Sequence, residues 1–335
     1  MLSFAQLDMN WRQYILRLTA KMFYYILIAI QIILFLRVII DLTFKPQSKP
    51  NPKLRPYTDV CRDKCVLGQF NYPSNNISTW KRSWSKFVNP NKIIIAAPEA
   101  QNENPHFDPS QTKYLLYKSD YGHVSPYINI ANVLRDNDDE VRILYVHDDM
   151  LLTASVLKKI GGREWLATDV ITEKYAIYEN STSESVNNAP RSWPHWQGCL
   201  STFLKMFNDQ RLTPYKHKSA DKSSFINVKE GSSDMLYAYL PKEQKAAFLN
   251  LLDLFADHSL FLECAIPTAV LMMQEKFNIK LQSISLCTDW GELRNRPKEM
   301  IENCAREGLV HDAYHPIKIS LNRDWTQYFD DISGL

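Results

Sequence analysis

The stretch VRILYVHDDMLL, residues 141–152, decides how the chain is read. Val141 to Val146 is an apolar, β-branched and aromatic run broken by a single charge, Arg142, which is the pattern of a buried strand. It runs straight into His147-Asp148-Asp149, so two adjacent carboxylates stand where the strand ends. Upstream, Lys92 to Ala97 (KIIIAA, closed by Pro98) and Tyr114 to Tyr117 (YLLY) read as two more strands, and Pro126 to Leu134 carries a helical pattern. Strand, helix and strand with a polar crossover is the unit of a mostly parallel sheet. Downstream, Asp234 to Leu240 reads as a further strand. Pro241 suits the first turn of a helix running to about Phe255, and a second helix covers Leu260 to Phe277. The expected class is therefore α/β, a mostly parallel sheet flanked by helices.

Farther out, residues 22–40 read MFYYILIAIQIILFLRVII, with Gln31 and Arg37 the only strongly polar side chains. About 20 apolar residues cross a ~30 Å hydrocarbon core, and Arg37 stands near enough to one end to snorkel to the headgroups. A run apolar on every side is unlike the amphipathic helix of a globular core, and no small-x-small cleavage site follows it, so it is expected to stay as an anchor. The organisation that results is a tail at 1–21, a transmembrane anchor at 22–40, a Pro-rich stem at 41–56 (FKPQSKPNPKLRP within it) and one large domain at 57–335.

Arg12, Arg17 and Lys21 on one side of the anchor balance Lys45, Lys49, Lys53 and Arg55 on the other, so flanking charge gives no direction. Other features favour a lumenal C-terminal part. Asn76-Ile77-Ser78 and Asn180-Ser181-Thr182 are N-glycosylation acceptors, with Asn76 and Asn180 as the modified residues. All six cysteines lie beyond the anchor, an even number suited to oxidised pairing. Cys61-x3-Cys65 is read as a disulfide near the stem, because no second Cys or His pair stands at zinc-ligand spacing. A net charge of +2 without a long basic run argues against nucleic acid as a partner.

In an open parallel sheet, ligands bind outside the carboxyl ends of the strands, where Asp148-Asp149 sits. Hard divalent cations such as Mg²⁺ or Mn²⁺ take oxygen ligands and are held by one or two carboxylates plus substrate phosphates. The acidic pair therefore suits a cation that neutralises a departing diphosphate. It equally suits an N-cap for a helix beginning near Met150, and both readings can hold together. The chain has no GxSxG elbow, no P-loop and no HExxH, and its nine glycines leave little for a glycine-rich phosphate cradle.

The stretches YKSDYGHVSPYINIANVL (117–134) and RILYVHDDMLL (142–152) resemble the nucleotide-sugar-binding half of GT-A-fold glycosyltransferases. With SSDMLYAYLP (232–241) and FADHSLFLECAIPTAV (255–270), the chain most resembles the STELLO-type glycosyltransferase family over roughly residues 92–316. The resemblance implies a GT-A-like fold, a nucleotide-sugar donor, a glycan or glycoprotein acceptor, an Mn²⁺ or Mg²⁺ cofactor, and a type II protein of the Golgi or endoplasmic reticulum membrane. Asp148 and Asp149 would take the metal and sugar-diphosphate role, although His147 stands where a strict Asp-x-Asp motif has its first Asp. Glu263 is the first candidate for the base that activates the acceptor hydroxyl and Asp257 the second, the alternative for each being solvent-facing charge at a helix junction. His315 is assigned to the metal and Lys318 to the diphosphate, the alternative being a His-Pro turn with exposed charge. Asp120, beside Lys118, Tyr121 and His123, falls where base or ribose contacts are made, or in an ordinary turn. Trp193, His195, Trp196, Tyr237 and Tyr239 form either a sugar-stacking surface or part of the core. The competing function is a non-catalytic GT-A-like scaffold or carbohydrate-binding protein whose site has drifted.

Overall fold

The computed structural model describes residues 64–317 except 73, 75, 104–112, 118–123, 138–139, 161, 169–173, 189–195, 289–295 and 307–310. All of these belong to the compact unit Pro56–Leu335. The tail, anchor and stem expected at 1–56 lie outside the described residues, as do Cys61, Asp120, Trp193, His195 and Lys318. Among the described residues, no helix is long and apolar enough to cross a membrane.

The chain forms a mixed α/β fold. In order, the elements are β1 (Cys65–Gln69), α1 (Ile77–Trp84), β2 (Ile93–Pro98), β3 (Lys113–Tyr117), α2 (Ser125–Arg135), β4 (Val141–His147), β5 (Leu151–Leu152), α3 (Ala154–Lys159), β6 (Trp165–Thr168), β7 (Lys174–Tyr178), α4 (Ser183–Asn187) and α5 (Trp196–Met206). There follow β8 (His217–Lys218), β9 (Ser224–Lys229), β10 (Met235–Leu240), α6 (Lys242–Asp257), α7 (Leu262–Phe277), β11 (Leu281–Ile284), β12 (Leu286–Thr288), α8 (Pro297–Arg306) and β13 (Ala313–His315).

The central sheet has seven strands in the order β11-β6-β10-β4-β1-β2-β3. β4, β1, β2 and β3 run parallel, β11 runs parallel to β6, and β10 is antiparallel to both its neighbours. The chain leaves β1 toward β2 and β3, then crosses back through α2 to place β4 on the other side of β1. The sheet therefore has its switch point between the carboxyl ends of β1 and β4, where the two crossovers part. The expected strands at Lys92–Ala97, Tyr114–Tyr117 and Val141–Val146 are β2, β3 and β4, and all six residues of β2 are buried, as befits a strand covered on both faces.

One face of β1 is fitted to an indole. Trp84 stacks on Trp80 with ring centroids 5.6 Å apart and meets Phe70 edge-on at 6.0 Å. A Cβ placed on Gly68 would stand 2.0 Å from Trp84 Cζ3, so only glycine leaves room for the ring. On the opposite side α2, α6 and α7 pack together, and the buried Tyr127 hydroxyl donates to Leu260 O at 2.7 Å. Disulfides join Cys199 of α5 to Cys264 of α7 and Cys287 of β12 to Cys304 of α8, and Cys65 is also disulfide-bonded.

The helix expected to start near Met150 begins later. Leu151 and Leu152 pair instead with β13, so Thr153 is the N-cap and Asp148-Asp149 is released from a capping role. A short sheet, β12-β13-β5, thus sits beside the acidic pair. A third, β7-β9-β8, forms an outlying layer on α7.

Candidate active site

β4 delivers its last residues to the switch point with two backbone tethers. The His147 N–H donates to Asp234 O at 2.9 Å and the Asp148 N–H to Gln69 O at 2.9 Å. The same end of β1 is fixed by side chains. The buried Gln69 donates from Nε2 to Tyr117 Oη at 2.8 Å and accepts at Oε1 from Asn129 Nδ2 at 3.0 Å. Strands β1, β3 and β4 and helix α2 are therefore locked together at the switch point by amide and hydroxyl groups, which satisfies polar atoms that burial would otherwise penalise.

The antiparallel β10 brings its amino end to the same place, since Met235 pairs with Val146. Residues 230–234, which lead into it, carry Glu230 and Asp234. A proline anchors this loop. Pro267 in α7 has no N–H to give the carbonyl four residues earlier, and that carbonyl, Glu263 O, accepts the Gly231 N–H at 3.0 Å instead. One turn on, Thr268 Oγ1 accepts from Lys229 N and donates to Lys229 O, both at 2.9 Å. The first turn of α7 thereby holds Glu263 against the acidic loop.

β13 supplies the remaining group. The Ile317 N–H donates to Asp149 O at 2.6 Å, which lays His315 against Asp149. Its Nε2 lies 3.3 Å from Asp149 Oδ1 and its Nδ1 3.6 Å from Asp234 Oδ2, with the ring almost wholly buried. Asp312 sets where β13 starts. It accepts from Ser155 Oγ at 2.7 Å, Lys159 Nζ at 2.5 Å and Ser285 N at 2.8 Å. Burial alone would push its carboxyl up, but the lysine and these hydrogen bonds outweigh that and hold it below the usual range.

His147, in contrast, faces inward. It is buried, with Nε2 2.5 Å from the Tyr145 hydroxyl and Nδ1 3.7 Å from Asp234 Oδ1. Burial, with the carboxylates of Asp234, Asp149 and Asp148 nearby, keeps the Tyr145 phenol protonated well beyond its ordinary range. Glu263 is pushed up to about 8, first by burial and then by Asp234 and Glu230, with His315 opposing.

Of the sequence-predicted residues, Asp149 and His315 meet, Asp148 adjoins them in the chain, and Glu263 lies within electrostatic reach of His315 and Asp234. Asp257 goes elsewhere. At the end of α6 it is 63% exposed and accepts from Arg211 Nη1 at 2.7 Å, while the same guanidinium grips Asp209. Trp196 and Tyr237 are core residues without exposure, and Tyr239 lies under the Arg142 guanidinium at 5.1 Å. Asn180 is exposed in a turn, and Asn76 is half-buried ahead of α1. Sequence reasoning missed Asp234 and Glu230, because a strand can be read from its pattern but its direction cannot.

Two protein ligands fit a hard cation here. On an octahedral ion with ~2.1 Å bonds, adjacent ligand atoms lie about 3 Å apart, close to the separation of Asp149 Oδ1 and His315 Nε2. Among the described residues, the group of three potential ligands with atoms within 4.8 Å of one another is Cys287, Cys304 and His311, and there the two sulfurs are bonded to each other. Comparison with known proteins gives no family model that matches the chain and no significantly similar curated protein.

Proposed function

We propose that the chain is a metal-dependent glycosyltransferase of GT-A type, held on a secretory-pathway membrane by residues 22–40 with its large domain in the lumen. The observation that carries this reading is the meeting of Asp149 and His315 at the carboxyl end of β4, beside the switch point of a mostly parallel sheet. The single antiparallel strand next to β4 adds support, because it brings acidic residues to the side of β4 away from β1, β2 and β3. That division leaves the β1–β3 side for a nucleotide and the α7 side for an acceptor.

Asp149 and His315 would hold Mn²⁺ or Mg²⁺, which when bound polarises and neutralises the diphosphate of a nucleotide sugar. Asp148 stands beside them, and Lys318, three residues beyond His315, is assigned to the diphosphate as a point charge. Glu263 is assigned to take the proton from an acceptor hydroxyl. Burial favours its neutral form, so deprotonation near neutral pH leaves a strong base. The Arg211 ion pair of Asp257 removes that residue from the role.

The experiment is to titrate the detergent-solubilised full chain with a panel of nucleotide sugars, with and without Mn²⁺, following binding and slow hydrolysis. Metal-dependent binding of at least one donor that Asp149→Ala abolishes supports the reading. A folded protein that binds none supports a non-catalytic lumenal scaffold, a reading favoured by the inward-facing His147 where a first Asp would stand.

A further inference from the structure

We propose that Asp234 is the positioning residue of this site: it fixes the ring orientation and tautomer of His315 so that Nε2 presents a lone pair toward Asp149. The inference rests on the reading of Asp149 and His315 as cation ligands.

Asp234 lies between two imidazoles. Its Oδ1 faces Nδ1 of His147 at 3.7 Å, and its Oδ2 faces Nδ1 of His315 at 3.6 Å. The hydroxyl of Ser232 donates to Oδ2 of Asp234, and Thr168 Oγ1 donates to Ser232 Oγ at 2.8 Å. With a cation on Nε2 of His315, Asp234 is the acceptor that faces both Nδ1 atoms. Nε2 of His147 is hydrogen-bonded to the Tyr145 hydroxyl; in the arrangement proposed that hydroxyl donates, which puts the His147 proton on Nδ1, facing Oδ1 of Asp234. The Ser232 hydroxyl donates to Oδ2, and Nδ1 of His315 faces the same oxygen. A proton on Nδ1 of His315 leaves Nε2 unprotonated, 3.3 Å from Asp149 Oδ1, at the spacing of neighbouring ligands on one cation.

This is the carboxylate–histidine–metal arrangement, in which an outer carboxylate sets which ring nitrogen is the ligand and raises its basicity. Two further features fit this arrangement. His147 is buried and bound to Tyr145, as a strut for Asp234 requires. The loop that carries Asp234 is fastened to α7 through Gly231 and Thr268, as a residue that must hold another in place requires. Asp234 is nearly buried, accepts the Ser232 hydroxyl and has an imidazole nitrogen facing each of its oxygens, so its own orientation is set by the fold.

The test measures Mn²⁺ affinity directly, by electron paramagnetic resonance of the free ion, on the full chain in detergent with UDP present. His315→Ala defines the loss when a ligand is removed. Asp234→Ala is expected to weaken Mn²⁺ binding about 10- to 100-fold, the usual effect of losing an outer-shell partner. Asp234→Asn, which keeps an acceptor oxygen of the same shape, is expected to lose less than its alanine counterpart. The ¹⁵N spectrum of His315 adds a readout that mere packing would not move: one tautomer in the wild type, a mixture in Asp234→Ala. If the alanine variant fails to fold, Asp234→Asn decides alone, with wild-type affinity and an unchanged tautomer overturning the proposal. Loss of affinity in His315→Ala with none in Asp234→Ala overturns the role of Asp234 and leaves the cation site standing. A wild type that binds no Mn²⁺ removes both.

Discussion

Substituting Gly68 tests whether the packing that fixes the switch point is as tight as it is drawn. A Cβ at this position would lie 2.0 Å from Trp84 Cζ3, 2.3 Å from Cη2 and 3.0 Å from Cε3, well inside van der Waals contact. The indole has little room to recoil, since it is buried, stacked on Trp80 and edge-on to Phe70. β1 cannot move away either, because β2 and β4 hold it on both sides in parallel register. Gly68→Ala should therefore sit at the upper end of the ~1–3 kcal/mol range for overpacking a dense core. For a domain of this size that is a fall in melting temperature of about 6–12 °C, read by circular dichroism or calorimetry. Because Gln69 is the next residue and its carbonyl receives the Asp148 N–H, donor affinity should fall along with stability. Adding Trp84→Leu should recover part of the loss, the two changes coupling by about 0.5–3 kcal/mol as neighbours in contact do. A Gly68→Ala protein that melts within about 1 °C of wild type would refute this account of the core, given the ~2–4 °C expected per kcal/mol.

Three further outcomes follow from the structure. With Glu263 as the base, turnover should climb as pH rises toward and through about 8, because only the deprotonated carboxyl accepts a proton and burial holds its titration there; a pH–rate profile already flat above about pH 5, as for an ordinary carboxylate, contradicts this. Glu263→Gln should lower kcat by about 10²–10⁴-fold with little change in donor affinity, whereas Asp257→Asn should leave kcat within about twofold, since Asp257 is an exposed partner of Arg211. Replacing Cys199 and Cys264 by Ala should cost about 4 kcal/mol in denaturant midpoint experiments, the loop-closure entropy for a separation of 65 residues, while leaving Mn²⁺ affinity unchanged in the protein that remains folded.

The parallel half of the fold was legible because its signals are local. KIIIAA and VRILYV are continuous apolar, β-branched runs, and the polar crossover from Pro126 to Leu134 carries a helical period. The acidic strand end followed from the same reading, since Asp148 and Asp149 come straight after β4. Asp234 was not legible as part of the site. Its strand was visible, but its antiparallel direction depends on the long excursion through β7, α5 and β9, and pairing across such a distance leaves no local mark. Pro267 inside an apolar helix was visible too, yet its effect, freeing the Glu263 carbonyl for Gly231, needs the loop and helix placed together. Asp257 and Glu263 looked alike as carboxylates near a helix junction. They part because Arg211 draws one to the surface while Gly231 and the acidic loop hold the other inward. The helix start near Met150 was misread because Leu151 and Leu152, apolar enough for either state, find a strand partner in β13 that lies far along the chain.

The central claim is that Asp149 and His315 form the cation end of a nucleotide-sugar site. Isothermal titration of UDP into the full chain, with and without Mn²⁺, for wild type, Asp149→Ala and His315→Ala, tests it most directly. The account predicts that UDP binds the wild type with an affinity raised at least about tenfold by Mn²⁺, a coupling of about 1.4 kcal/mol, and that either substitution abolishes the enhancement while the melting temperature stays that of a folded protein. UDP affinity indifferent to Mn²⁺ in the wild type, or an enhancement that survives both substitutions, would contradict it.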